Sequence, residues 1–168
     1  MNAVVVYESV WGNTASIARA IAEGLGEGTR VLSTAEATAE SLATAELIVV
    51  GSPLLGFSVP TDQMIDGIRT QPGTSPVPAD LSQPSMRSWL SALKPGTARC
   101  AAFETRIWWS PGSAAKGILK AMAALGYRPV DAKGERFIVK GRYGPLKDGE
   151  VERARAWGRQ LGSGAEAE

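Results

Sequence analysis

Residues 8–14 (ESVWGNT) bring hydroxyl and amide side chains together with a glycine, a combination suited to binding an anion. The preceding run, residues 3–7, is β-branched and too short for a helix, so it predicts a buried strand. Residues 15–25 carry apolar side chains at helical spacing. A turn between a strand and a helix exposes main-chain N–H groups at the positive end of the helix dipole. The segment therefore predicts a phosphate site, with simple capping of the helix by residues 9–14 as the alternative.

The segment lacks the features of the common nucleotide loops. Neither G-x-G-x-x-G nor G-x-x-x-x-G-K-[ST] occurs in the chain, and the segment holds no lysine. Ser9, Asn13 and Thr14 offer neutral side-chain donors instead, and Gly12 allows the main chain to approach a ligand closely. Such donors suit a phosphate monoester better than a triphosphate with magnesium.

Composition excludes several classes of function. The chain has 168 residues, of which 44% are hydrophobic and 21% charged, which indicates one folded domain. A formal net charge of +1 without a basic run argues against nucleic-acid binding. Histidine is absent, so Ser-His-Asp catalysis and histidine-ligated metals are excluded, which disfavours a cofactor-free hydrolase but not a protein whose cofactor carries the chemistry. No apolar run is long enough to span a bilayer and no signal-peptide pattern is visible, so we expect a cytoplasmic protein with Cys100 buried.

Apolar runs alternate with amphipathic segments along the rest of the chain. Strands are predicted at residues 30–33, 47–50, 97–103 and, in two pieces, 127–130 and 136–140. Helices are predicted within residues 35–45, 61–69, 86–93, 114–125 and 148–161. This alternation predicts a single α/β domain over residues 1–161 with a parallel sheet, followed by a disordered polar tail at 162–168.

Ligands of parallel α/β sheets bind at the carboxyl ends of the strands. Three predicted loops follow strand ends at that edge: the first loop (residues 9–14), the second loop (51–57) and the third loop (104–113). We therefore expect the binding site where these three loops meet.

The loop sequences resemble those of a known family. Residues 7–14 (YESVWGNT) are similar to the FMN-phosphate loop of the flavodoxin family. The GSP at residues 51–53 is similar to the flavodoxin loop that passes one side of the isoalloxazine ring, and residues 104–106 and 111–113 also resemble flavodoxin-like proteins. The resemblance covers about residues 4–161 and is to the short-chain type, because no long insertion splits the last strand.

The resemblance implies a three-layer, doubly wound α/β fold with a five-stranded parallel sheet in strand order 2-1-3-4-5. It also implies bound FMN with contacts from all three loops. In the first loop the implied contacts are Ser9, Val10, Trp11, Gly12, Asn13 and Thr14. In the second loop they are Ser52, Pro53, Leu54, Leu55, Gly56 and Phe57. In the third loop they are Glu104, Thr105, Arg106, Trp108, Trp109 and Gly112.

Several of these residues have a second interpretation. Leu54 and Leu55 replace the polar and aromatic residues usual in the family, so the flank of the ring is expected to be aliphatic. Gly56 either turns its peptide to offer a carbonyl to flavin N5–H on reduction or is a plain turn residue. Trp108 and Trp109 either stack on the ring or pack against the proline-rich residues 58–84.

Arg106 and the proline-rich segment also allow alternatives. A cation near the pyrimidine edge would favour the anionic reduced flavin, whereas pairing of Arg106 with Glu104 would give it a structural role. A connection as long as residues 58–84 covers the flavin, receives a partner, or is a surface insertion.

Three functions are compatible with these observations. The first is an FMN electron carrier that works with redox partner proteins, a reductase and an acceptor, as a monomer or weak dimer. The near-neutral charge of the chain counts against this function, because flavodoxins are typically strongly acidic and are steered to basic partners by that charge. The second is an FMN-dependent NAD(P)H oxidoreductase acting on a quinone or similar acceptor. The third is a redox-silent module that kept the fold and lost tight FMN binding.

Overall fold

The computed structural model of the chain describes residues 1–164, so residues 165–168 of the predicted tail lie outside the described part. The strands are β1 (Ala3–Tyr7), β2 (Arg30–Ser33), β3 (Leu47–Pro53), β4 (Arg99–Arg106), β5 (Arg128–Pro129) and β6 (Glu135–Ile138). The helices are α1 (Asn13–Leu25), α2 (Ala39–Leu42), α3 (Asp62–Thr70), α4 (Met86–Ala92), α5 (Ala114–Ala124) and α6 (Glu150–Ser163). None of these helices is both long and apolar enough to span a bilayer.

All strands pair in parallel, in the order β2-β1-β3-β4-β5. The fifth position is shared, because β5 pairs with Arg99 and Cys100 while β6 pairs with residues 103–106 of the same strand. The predicted fold class and the division of the last strand are thus confirmed. Strand order reverses beside β1, which brings the ends of β1 and β3 level at the edge where ligands bind in such sheets.

The two faces of the sheet bury separate cores because side chains alternate along each strand. In β1, Val4 and Val6 face one core, whereas Ala3 and Val5 face the other. The second core lies under α1 and α6, and these two helices touch so closely that a Cβ at Gly158 would collide with the carbonyl of Ile21. This close contact fixes the C-terminal half of α1 against α6 over the second core.

Two boundaries near the site differ from the sequence prediction. β4 continues past residue 103 to Arg106, because Pro53 of β3 and Ile138 of β6 extend the pairing on both of its sides. α1 begins at Asn13 instead of residue 15, so Asn13 and Thr14 form its first turn. The third loop is therefore shorter than predicted.

Other differences lie away from the site. Gly162 and Ser163 belong to α6, so the predicted disordered tail is wrong for those two residues. Met64 of α3 and Val151 of α6 are 36% and 38% exposed, because the buried stripes of these helices use neighbouring positions. Cys100 is fully buried as predicted, and burial raises the pKa of its thiol to about 11.

Candidate functional site

The first loop is shaped by Ser9. Its hydroxyl accepts hydrogen bonds from the main-chain N–H of Gly12, at 3.1 Å, and of Ala15, at 3.2 Å. Gly12 takes φ +94°, a left-handed conformation that favours glycine, and this lets the chain turn directly into α1. The side chain that caps α1 is therefore Ser9, which lies within the segment that the alternative interpretation expected to cap the helix.

Main-chain donors are left over at this turn. Within residues 1–164, the N–H groups of Val10, Trp11, Asn13 and Thr14 have no hydrogen-bond acceptor. Two of them lie in the first turn of α1, where the helix dipole adds positive potential. A group with several acceptor oxygens and a negative charge fits such a set of donors.

The side chains of Asn13 and Thr14 already have partners inside the protein. The Thr14 hydroxyl lies 2.8 Å from the Thr105 hydroxyl of β4, and the Asn13 amide donates to the carbonyl of Tyr143 at 3.1 Å. These bonds fix the first loop to β4 and to the chain after β6. A phosphate at this loop would accordingly depend on main-chain donors more than the sequence suggested.

The second loop leaves β3 through Leu54, whose N–H donates to the carbonyl of Thr105 at 2.9 Å. Leu54 is buried in the first core and Leu55 is half-buried, and their place beside a flavin ring stays a prediction. Gly56, at φ +67°, lies in a turn closed by a 3.2 Å hydrogen bond from Leu55 N–H to the Ser58 carbonyl. Its turn role is thus established, while a change of its peptide on reduction stays a prediction.

The third loop is organised by the buried carboxylate of Glu104. It accepts hydrogen bonds from the hydroxyl of Ser113 at 2.7 Å and the N–H of Ala115 at 3.2 Å, and it pairs with Arg106 at 3.1 Å. The Arg106 guanidinium also donates to the Gly112 carbonyl at 3.0 Å. Arg106 therefore forms the predicted alternative pair with Glu104, and together they clamp both ends of the loop.

Three aromatic side chains stand out from the second and third loops. Phe57, Trp108 and Trp109 are 72%, 75% and 65% exposed, and we call them the aromatic edge. The exposure of both tryptophans excludes the alternative that they pack against the proline-rich segment. The two loops touch each other, since the N–H of Ser113 donates to the carbonyl of Phe57 at 3.2 Å.

The proline-rich segment lies over the first loop. The N–H of Asp80 donates to the Val10 carbonyl at 2.8 Å. Val10 and Trp11 pack with Ile65 and Ile68 of α3, and Ala79 and Leu81 join the same apolar cluster. The long connection thus buries the outer side of the first loop and leaves the aromatic edge uncovered.

Sequence reasoning did not single out Glu8 as a structural anchor of this region. Its buried carboxylate accepts the N–H of Met86 at the start of α4, at 3.0 Å. Burial, with a smaller contribution from the nearby Asp62 carboxylate, raises the pKa of Glu8 to about 7, although the hydrogen bond from Met86 acts in the opposite direction. An acidic residue directly after a buried strand was the available signal, but its partner lies 78 residues away in the chain.

Comparisons with known proteins agree with this architecture. No protein-family model and no curated protein matches the chain. A flavodoxin from the domain Archaea has a TM-score of 0.68 and 23% identity, with 99% of each chain covered. Oxidised Flavodoxin 2 from Bacillus cereus has a TM-score of 0.64 and 16% identity, again with 99% of each chain covered. The Flv1 flavodiiron core from Synechocystis sp. PCC6803 has a TM-score of 0.65 and 21% identity, covering 100% of this chain and 37% of that one.

At these identities the likeness concerns the fold. The chain has the flavodoxin-like α/β fold, with its three loops at the carboxyl edge of the parallel sheet.

Proposed function

We propose that this protein binds FMN at the carboxyl edge of the sheet and acts as an electron-transfer carrier. The observation that carries the proposal is the set of main-chain N–H groups at Val10, Trp11, Asn13 and Thr14, which have no acceptor in the described part of the chain. They match the acceptor oxygens of a phosphate monoester, and the start of α1 favours its charge. Bound FMN would supply one-electron and two-electron transfer.

The isoalloxazine ring is proposed to lie against the aromatic edge. Covering large exposed aromatic side chains with a flat, apolar partner is favourable, because it removes apolar surface from water. In this arrangement Phe57, Trp108 and Trp109 provide stacking surface, and the second loop borders the ring with Leu54 and Leu55. Ser52, Pro53, Gly56, Thr105 and Gly112 complete the proposed contacts through their positions in the same loops. The side chains of Glu104 and Arg106 serve the site by holding the third loop.

A carrier is favoured over an FMN-dependent NAD(P)H oxidoreductase by the place of the proline-rich segment. That segment packs on the first loop and so does not enclose a substrate pocket at the aromatic edge. An open edge suits brief contact with a reductase and then with an acceptor protein. We expect these partners to meet a monomer or weak dimer in the cytoplasm.

Flavin titration followed by an anaerobic reduction test distinguishes the functions. Apoprotein is titrated with FMN while flavin fluorescence and the visible spectrum are recorded, and we expect saturable binding with one flavin per chain. The loaded protein is then mixed with NADPH alone and with NADPH plus a flavodoxin reductase. Reduction only with the reductase supports the carrier, whereas rapid bleaching by NADPH alone would establish the oxidoreductase. Failure to bind FMN would leave only the redox-silent module.

A further inference from the structure

The chain after β6 forms a tight turn that reaches the first loop. Val139 and Leu146 pair as an antiparallel bridge, and the N–H of Lys140 donates to the Pro145 carbonyl at 2.8 Å. The N–H of Gly144 donates to the carbonyl of Gly141 at 3.0 Å and closes the tip. We call residues 139–146 the β6–α6 turn.

This turn is fastened to the first turn of α1. The Tyr143 carbonyl accepts the hydrogen bond from the Asn13 amide. Gly144 has φ +103°, and a Cβ there would lie 2.7 Å from Oδ1 of Asn13, so only glycine fits against this side chain. The Tyr143 ring also meets the Trp11 ring edge-on, with 5.0 Å between centroids. The turn therefore has a defined position beside the unpaired N–H groups.

Arg142 lies at the tip of the turn and carries an unneutralised charge. Its guanidinium carbon is 5.7 Å from the Trp11 ring centroid and 5.6 Å from that of Tyr143. Within residues 1–164 it forms no ion pair with a carboxylate. Stacking on two aromatic rings holds a guanidinium in place while leaving its five N–H donors available.

Trp11 adds a second sign that an acceptor belongs here. Its indole N–H is buried and has no hydrogen-bond partner within residues 1–164. Buried donors are rarely left unpaired without a functional or structural reason. The same residue has an unpaired main-chain N–H and supports the guanidinium of Arg142 on its ring. These features converge on one small region.

We propose that Arg142 binds the phosphate of the ligand, so that the anion is held by main-chain donors of the first loop and by a guanidinium from the β6–α6 turn. The inference rests on the proposed FMN site and deepens it. It differs from the prediction made from the sequence, in which only neutral donors bind the phosphate. A guanidinium presents paired N–H groups that match two phosphate oxygens at once.

The test compares two flavins that differ only in the phosphate. Wild-type apoprotein, Arg142→Met and Arg142→Lys are titrated with FMN and with riboflavin, which has the ring and side chain but no phosphate. Methionine keeps apolar contact with the two rings and removes the charge. We expect Arg142→Met to weaken FMN binding about 10- to 100-fold. Riboflavin binding should change less than about twofold, and Arg142→Lys should recover part of the FMN affinity.

Arg128→Met is the matched control. Arg128 is an exposed arginine of β5, which pairs with the opposite end of β4, and its replacement changes net charge by the same amount. Equal weakening of FMN and riboflavin by Arg142→Met would show that Arg142 only supports Trp11 and would overturn the inference. Unchanged FMN affinity, or an equal loss in Arg128→Met, would overturn it as well.

A separate measurement covers failure of the proposed function. If wild-type protein binds neither flavin, the FMN proposal fails, and inorganic phosphate then tests Arg142 alone. Thermal unfolding is followed in phosphate and in chloride at equal ionic strength. A rise in Tm in phosphate that disappears in Arg142→Met supports an anion site at Arg142. The same rise in both proteins, or no rise in either, overturns it.

Discussion

The first loop and the aromatic edge both follow strand ends of the same sheet, yet they are built in opposite ways. In the first loop, Ser9 and Thr14 are buried and bonded inside the protein, and the proline-rich segment and the β6–α6 turn pack around it. At the aromatic edge, Phe57, Trp108 and Trp109 lie largely in solvent on loops that are held from beneath.

The difference matches the two tasks of the proposed site. The first loop is a preformed set of donors, whose shape is maintained by the side chains of Ser9 and Thr14, which are bonded inside the protein. The aromatic edge is surface without a partner, and only its framework of Glu104, Arg106 and Gly112 is fixed. In the proposed site, preformed donors would give an anion a defined position at small entropic cost, while the open edge would keep a cofactor accessible to another protein.

The largest expected effect comes from breaking the framework of the third loop. Glu104→Gln removes the countercharge of the buried Arg106 guanidinium and should lower the free energy of unfolding by about 3 kcal/mol, measured by urea denaturation. Replacing both residues by Leu and Met should cost less, because no charge then stays buried. A double variant less stable than Glu104→Gln would contradict this account. Inorganic phosphate should still bind the first loop in the folded variant.

A second effect depends on pH and concerns the anchor of the first loop. Burial raises the pKa of Glu8 from 4.5 to about 7, so the folded state favours the protonated acid. The stability that protonation provides is present below pH 4.5 and is lost as pH rises to 7.

Glu8→Gln keeps an uncharged acceptor for the Met86 N–H. The stability of this variant relative to wild type should therefore increase by about 3 kcal/mol as the pH rises from 4.5 to 8. Urea denaturation of both proteins at several pH values measures this difference. The difference should be flat above pH 8. A difference that did not vary with pH would show that Glu8 keeps an ordinary pKa.

A third, smaller effect tests the preformed shape of the first loop. Gly12→Ala places a Cβ at φ +94° and should cost about 1 kcal/mol in stability, with roughly a tenfold loss of FMN affinity. Gly28→Ala is the matched control, because Gly28 has φ +86° and equally open space but lies beyond the far end of α1. It should cost the same stability and leave FMN affinity unchanged. Equal FMN affinities in both variants would mean that the ligand binds elsewhere.

The smallest effect on stability is expected at the aromatic edge. Trp108→Ala and Trp109→Ala should each change the free energy of unfolding by less than about 0.5 kcal/mol, because both side chains are exposed. At least one of them should weaken FMN binding about tenfold through lost stacking. Val77→Ala, an exposed apolar residue of the proline-rich segment, should change neither quantity. If a double variant that lacks both tryptophan side chains kept full FMN affinity, the flavin ring would have to bind away from the aromatic edge.

Much of the fold could be predicted because its signals are local. The β-branched runs at β1 and β3 and the helical spacing in α1 follow from neighbouring residues. The two pieces of the last strand, at residues 127–130 and 136–140, were also expected from the sequence. The extension of β4 through its polar end was not predicted. Glu104 and Arg106 can lie in a buried strand only because Ser113 and Gly112, in the loop after β4, form hydrogen bonds with them.

The sequence by itself determined a strand, a glycine turn and a helix at residues 3–25, and hence a row of main-chain donors at the start of α1. Backbone preferences and hydrophobic spacing suffice for that, because they act between near neighbours. Only the tertiary structure decided what surrounds those donors. The Asn13 amide donates to the carbonyl of Tyr143, which is 130 residues away in the chain, and the neighbouring Arg142 lies over the Trp11 ring. Such meetings depend on sheet topology, which brings the ends of distant strands to one edge, and on the burial that forces polar groups there to find partners.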